Sequence, residues 1–268
     1  MKRIPIVLWF LFLLTGTIYG QSSFPDPGNE GVSNEAMIEQ AGNSNTGIIN
    51  QFGSNSAYIE QVGDNNRAVI QQGGGESLGK VIDTPIGSSF PGDFGGFGHK
   101  QTTSTADLTQ SGDFNDAFVV QAGSHSSRIV QDGRTNFAGI TQFSFRGGLF
   151  DSFSKNGNAG SVASIIQEGS YNEAGIGQLG NAHDGTIEQY GDHNKATIAQ
   201  LPGFGLTGGD NPVFNLPVPG GSSSGATGTI IQHGNWNEAS IIQNSSSIPT
   251  EIIQYGYETN VMVEHNPF

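Results

Sequence analysis

The chain has no cysteine, which excludes disulfide staples, thiolate metal sites and a cysteine nucleophile. Basic residues are scarce too: 10 Lys and Arg stand against 24 Asp and Glu in 268 residues, a formal net charge of -14. Such a surface repels nucleic acid and anionic lipid, so neither is an expected partner. After the first stretch there is no apolar run approaching the roughly 20 residues that cross a bilayer. Aliphatic and aromatic residues are thinly spread, whereas glycine reaches 41 residues, about twice its usual share of roughly 7%. A conventional globular core is hard to build from this composition, and disorder is the default expectation. The strict spacing of the apolar residues argues against disorder.

The first 20 residues stand apart. Lys2 and Arg3 precede an apolar run from Ile4 to Leu14, followed by small residues up to Gly20. This is the pattern of a secretory signal peptide removed near Gly20/Gln21. Its loss leaves 8 basic against 24 acidic residues, a formal charge of -16, on a mature chain expected outside the cell with no transmembrane segment.

The rest is a repeat. After a short segment over 21–33, the template NxAxIxQxG recurs in blocks over 34–74, 104–142, 161–202 and 226–268. Inserts rich in Gly, Ser, Pro and Phe separate the blocks at 75–103, 143–160 and 203–225. Each block holds four units, sixteen in all. Template residues lie two apart, the side-chain period of a strand, so all five share one face. None of the 80 template positions carries Asp, Glu, Lys or Arg, so that face is expected to be buried.

The fifth template position supplies the expected core: Ile38, Ile49, Ile59, Ile70, Leu108, Val119, Ile129, Ile140, Ile165, Ile176, Ile187, Ile198, Ile230, Ile241, Ile252 and Val263. The seventh is Gln40, Gln51, Gln61, Gln72, Gln110, Gln121, Gln131, Gln142, Gln167, Gln178, Gln189, Gln200, Gln232, Gln243 and Gln254, with His265 the exception. The first is most often Asn: Asn34, Asn45, Asn55, Asn66, Asn115, Asn136, Asn172, Asn194 and Asn237. Buried amides must be paired, and stacking in register lets each donate to its equivalent one layer up and accept from the one below. Glycine at the ninth position provides the positive φ of a tight turn.

Every insert follows an even number of units, so two strands per rung send all inserts out from one edge. The expected fold is all-β: a parallel β-solenoid of strand-turn-strand rungs, about eight of them, amyloid-like, with three loop insertions. Parallel rungs lie about 4.8 Å apart. The end rungs are expected to leave open backbone groups and half-filled amide columns, a template for another chain, without room for the dissimilar capping repeat of natural solenoids; a cap formed by Phe24 to Ser33 or by Pro267 and Phe268 is the alternative.

These residues resemble the curlins, whose repeat reads AxxxQxGxxNxAxxxQ. Ala36, Gln40, Gly42, Asn45, Gly47 and Gln51 match it, with Gly for the second Ala, as do Ala174, Gln178, Gly180, His183, Gly185 and Gln189, with His for Asn. The resemblance implies a structural subunit of extracellular curli-like functional amyloid, supporting adhesion and biofilm at the cell surface. Its implied partners are copies of itself, a cognate nucleator or major subunit, and an outer-membrane secretion channel. Two features depart from the family pattern: QSSFPDPGNEGVS is shorter and poorer in Gln and Gly than the curlin export segment, and curlin repeats usually run without inserts. A nucleator or minor component, or a monomeric adhesin solenoid, are the alternative readings.

No other chemistry competes. The six His residues lack metal-ligand spacing with a third ligand, and His125 and His183 stand where a ladder Asn would, as spacers. The glycine clusters lack a calcium nonapeptide pattern and a phosphate-loop lysine. Outward acids do not align at one template position, as a polysaccharide-active β-helix enzyme would need. Thr186, Thr197 and Thr229 share one outward position, but Asp107, Arg128 and Glu251 interrupt the flat threonine array that ice binding needs. The expectation is no catalytic residue, no metal and no cofactor.

Overall fold

The computed structural model describes residues 15–21, 34–51, 53–73, 103–144, 160–180, 182–201, 204–205, 218–219, 225–244 and 248–265. The interiors of the three inserts, and the segments 1–14 and 22–33, lie outside the described residues. Every regular element described is a strand. The chain begins with β1 (Thr15–Gln21), β2 (Glu35–Ala41), β3 (Asn43–Gln51), β4 (Ser56–Val62) and β5 (Arg67–Gln72). After the first insert come β6 (Thr105–Asp113), β7 (Asp116–Ala122), β8 (Ser126–Arg134) and β9 (Phe137–Phe143). After the second come β10 (Val162–Ser170), β11 (Glu173–Leu179), β12 (Asp184–Tyr190) and β13 (Lys195–Leu201). The third insert contains the short pair β14 (Phe204–Gly205) and β15 (Val218–Pro219), and β16 (Thr227–Asn235), β17 (Glu238–Asn244), β18 (Thr250–Tyr257) and β19 (Asn260–His265) complete the chain.

The strands form two parallel sheets. The even strands from β2 to β12, then β16 and β18, make an eight-stranded sheet; the odd strands from β1 to β13, then β17 and β19, make a nine-stranded one. Each rung is one strand from each sheet, β2 with β3 at the first and β18 with β19 at the eighth. This is the parallel β-solenoid of about eight two-strand rungs that the repeat predicts. The inserts follow β5, β9 and β13, all in the nine-stranded sheet, so they leave from one edge.

Register follows the template: Ile165 pairs with Ile129 and Ile187, and Gln167 with Gln131 and Gln189. Between the sheets the β-branched column closes into one core, with Ile59, Ile129 and Ile187 fully buried. Ile38 and Val263, in the end rungs, are only partly buried.

Turns from the eight-stranded to the nine-stranded sheet are uniform. The ninth-position glycine has φ near +115°, as at Gly63 (114°) and Gly169 (117°). A Cβ on Gly133 would lie 1.9 Å from the carbonyl oxygen of Gly169 one rung on, so glycine is required for stacking as well as for φ. Two residues later a non-glycine residue takes the left-handed conformation, among them Asn65, Phe114, Tyr171 and Trp236. That conformation costs about 1 kcal/mol or more, and nothing in the template identified it.

Thr15–Gln21, which the sequence assigns mostly to the leader, pairs in parallel with β3. The expected cleavage point lies within this strand, so β1 covers the first rung's edge only in the uncleaved chain.

Candidate assembly surface

The glutamines form two unbroken hydrogen-bonded columns. In the eight-stranded sheet, each Nε2 donates to the Oε1 of the next rung, from Gln40 to Gln61, Gln110, Gln131, Gln167, Gln189, Gln232 and Gln254. In the nine-stranded sheet the same bond runs from Gln51 through Gln72, Gln121, Gln142, Gln178 and Gln200 to Gln243. Both columns therefore point one way along the axis. Each amide after Gln40 also donates across the core to a backbone carbonyl of the facing sheet, as Gln72 to Ser56 at 3.1 Å and Gln167 to Phe137 at 3.0 Å. The repeat alone does not reveal this second bond, because it depends on how the two sheets face each other.

The asparagines work differently from an amide-to-amide stack. The side-chain oxygen of Asn45 accepts the backbone N–H of Asn66, Asn66 accepts from Asn115, and so on through Asn136, Asn172 and Asn194 to Asn237. The side-chain N–H groups donate to turn carbonyls, as Asn172 to Gly191 at 2.7 Å. Asn34 and Asn55 belong to the opposite turn, where Asn34 accepts from Asn55, Asn55 from Ser104, and Ser104 Oγ from His125.

His125 and His183 continue that second column. The Nδ1 of His125 accepts the N–H of Ser161, and that of His183 accepts the N–H of Ala226, each at 3.1 Å. The proton is then on Nε2, which faces the carbonyl of Ala122 in one case and Leu179 in the other. Burial pushes the His125 imidazole down to about 4 and lowers that of His183.

The end rungs differ from the interior. Gln40 Oε1 is buried and has no partner among the described residues, and β2 and β18 end the eight-stranded sheet. At the far end Gln254 keeps its bonds to backbone carbonyls, of Glu238 and Thr259, but has no glutamine beyond it. One end of the column offers an open acceptor; at the other both hydrogens of the Gln254 amide go to carbonyls, so a further glutamine there would take the place of the Thr259 carbonyl.

Outward residues show pairing that sequence order hides. Arg67 meets Asp116 and Lys195 meets Glu173 on successive rungs, and Arg134 meets Asp113. Thr186 and Thr229 are neighbours, whereas Thr197 lies on the other sheet beside Ser240, so the three threonines do not form one column. Two aromatic stacks also run along the axis: Tyr171–His193–Trp236, with centroids 4.8 and 4.0 Å apart, and Tyr190–His233–Tyr255, at 4.8 and 5.1 Å. Their members fall at one turn or strand-end position of consecutive rungs, a coincidence visible only once the rungs are stacked.

Among the described residues no group of three or more His, Cys, Asp or Glu side chains is placed to hold a metal, and no helix is long and apolar enough to cross a membrane. Residues 53–74, 103–127 and 161–191 match the family described as Curlin associated repeat. No curated protein and no solved structure matches the chain significantly.

Proposed function

We propose, from the premise that this chain carries curlin associated repeats and is a structural protein rather than an enzyme, that it is a subunit of extracellular curli-like amyloid fibres. In this reading copies stack end to end, β18 of one against β2 of the next, and the fibre supports adhesion and biofilm matrix.

The observation that supports the reading best is the one-way glutamine column, which starts on the unpartnered oxygen of Gln40 and ends on the amide of Gln254. A buried acceptor without a donor costs about 1–3 kcal/mol, and a second copy relieves that cost by continuing the column. Continuing the register also places Glu251 beside Met37, Ile253 beside Glu39 and Gly256 beside Gly42, so no carboxylate faces another across the junction. Stacking of β19 on β3 requires the first rung's edge to be free of β1, as it is after cleavage near Gly20/Gln21. Export across the outer membrane through a channel, and a cognate nucleator or major subunit as partner, belong to the same reading.

The test is seeded assembly of residues 21–268 purified as a monomer. Fibre growth with seeds and a lag without them is expected; a chain that stays monomeric in the presence of seeds would defeat the proposal.

A further inference from the structure

The two end rungs depart from the repeat at its third position, and in opposite directions. In the nine-stranded sheet this inward column runs from Gly47 in β3 through six alanines, Ala68 to Ala239, to Val261 in β19. The first rung therefore lacks the methyl group that the interior carries, and the last holds two carbons more. The alanines are at most 2% exposed, whereas Val261, in the same inward register, is 37% exposed. Its neighbour on the inner side is Ala239, and β19 ends the sheet on the other.

Elsewhere in the chain, bulk on one rung is matched by glycine on the adjacent one. Thr250 takes the third position of β18, and the residue beside it in β16 is Gly228. Phe118 in β7 lies beside Gly139 in β9, where a Cβ would come within 2.2 Å of its ring. Close packing accounts for both, because an extra carbon in a filled layer forces its neighbours to shift. Val261 has no such glycine in its own chain. Gly47 has the converse setting: a Cβ there would lie 3.0 Å from Ile38 Cγ2 and 3.2 Å from Gln40 Nε2, so β2 and β3 sit too close to take an alanine without a shift.

We infer that Val261 and Gly47 are the specificity pair of the end-to-end contact: the isopropyl group of one copy seats against the glycine of the next. The pair rests on the end-to-end reading above. Setting β19 on β3 in continued register brings these two residues together, as it brings Val263 to Ile49. The partner that fits is a second copy of this chain presenting its first rung. A rung with alanine in that place, whether bared by fraying or supplied by another repeat chain, is overpacked by Val261 and disfavoured.

Inside one chain the two residues stand seven rungs apart, roughly 34 Å, so coupling between them reports a contact between copies. Fibres are grown from the native mature chain, Gly47→Ala, Val261→Ala and the double variant, and the monomer left at the plateau is measured. Each single change should raise that concentration about tenfold, the equivalent of about 1.4 kcal/mol: Gly47→Ala by crowding, Val261→Ala by leaving a gap. The double variant sets alanine against alanine, as in the interior, and should return to within about threefold of the native value. Independent effects would instead multiply to about a hundredfold. That result overturns the pair and leaves end-to-end growth standing. Should Gly47→Ala fail to fold as a monomer, Val261→Ala decides alone, and a native plateau in that variant overturns the pair. A native chain that forms no fibres defeats the reading on which the pair rests.

Discussion

A Cβ on Gly234 would lie 1.9 Å from the carbonyl oxygen of Gly256 in the next rung, whereas a Cβ on Gly256 meets nothing within 4 Å. The same residue type at the same turn position is therefore obligatory inside the stack and spatially free at its end. If a second copy continues the stack, its Gly42 takes the place that Gly256 takes above Gly234.

Gly256→Ala should then separate folding from assembly. Its φ of +118° strains an alanine by about 1–3 kcal/mol, which the last rung absorbs by fraying while the other seven keep their β signal. Elongation of native seeds should fall at least about tenfold, since 1.4 kcal/mol already gives that factor. Elongation at the native rate would mean that growth does not stack on Gly256.

An interior glutamine should matter far more than its outward neighbour. Gln167→Leu strands the Nε2 of Gln131, the Oε1 of Gln189 and the carbonyl of Phe137. At about 1–3 kcal/mol for each unpaired group, a loss of several kcal/mol in denaturant unfolding of the monomer is expected. Glu168→Ala, one residue on and outward, should stay within about 0.5 kcal/mol.

Ser127 stands in the alanine column between Ala106 and Ala163, and its hydroxyl is buried without a partner. Ser127→Ala should raise stability by about 1 kcal/mol, read as a shift of the denaturant midpoint at unchanged slope. A loss of stability would mean that the hydroxyl is hydrogen-bonded.

Acid should loosen the middle of the solenoid through His125. Its imidazole falls to about 4 on folding from an ordinary 6.5, so the unfolded chain takes up the proton first. The stability is fully present above pH 6.5 and is lost as the pH falls from 6.5 through 4, by a total of order 3 kcal/mol. Protonation of Nδ1 also removes the acceptor for Ser161. His125→Asn, which keeps an acceptor as Asn55 does for Ser104, should flatten the stability profile over this range. A profile as steep as the native one would place the titration elsewhere.

The stack was legible in the sequence because its signals are local and repeated. Period-two apolar spacing, a charge-free face, Gln at the seventh position and Gly at the ninth were enough for two sheets, eight rungs and a common edge for the inserts. What escaped depends on relations between rungs or sheets. The bond from each glutamine to the facing sheet needs the sheet separation, and the Tyr171–His193–Trp236 stack needs three residues 22 and 43 positions apart to be aligned. The asparagine column was expected to pair side chain to side chain, but Asn sits at a turn, where its short side chain reaches the next backbone N–H first. The thinner charge on the outside of the nine-stranded sheet, confined from β5 to β17 to the first outward residue as at Arg67 and Glu173, was hidden because alternate units belong to different sheets.

Mass per unit length of the fibre tests end-to-end stacking most directly. Eight rungs at about 4.8 Å give one chain per roughly 38 Å of a single filament. Scanning transmission electron microscopy of fibres grown from residues 21–268 should find that value or a small multiple set by the number of filaments, alongside a meridional reflection at about 4.8 Å. One chain per single rung spacing, as in a flat in-register amyloid, would contradict the account.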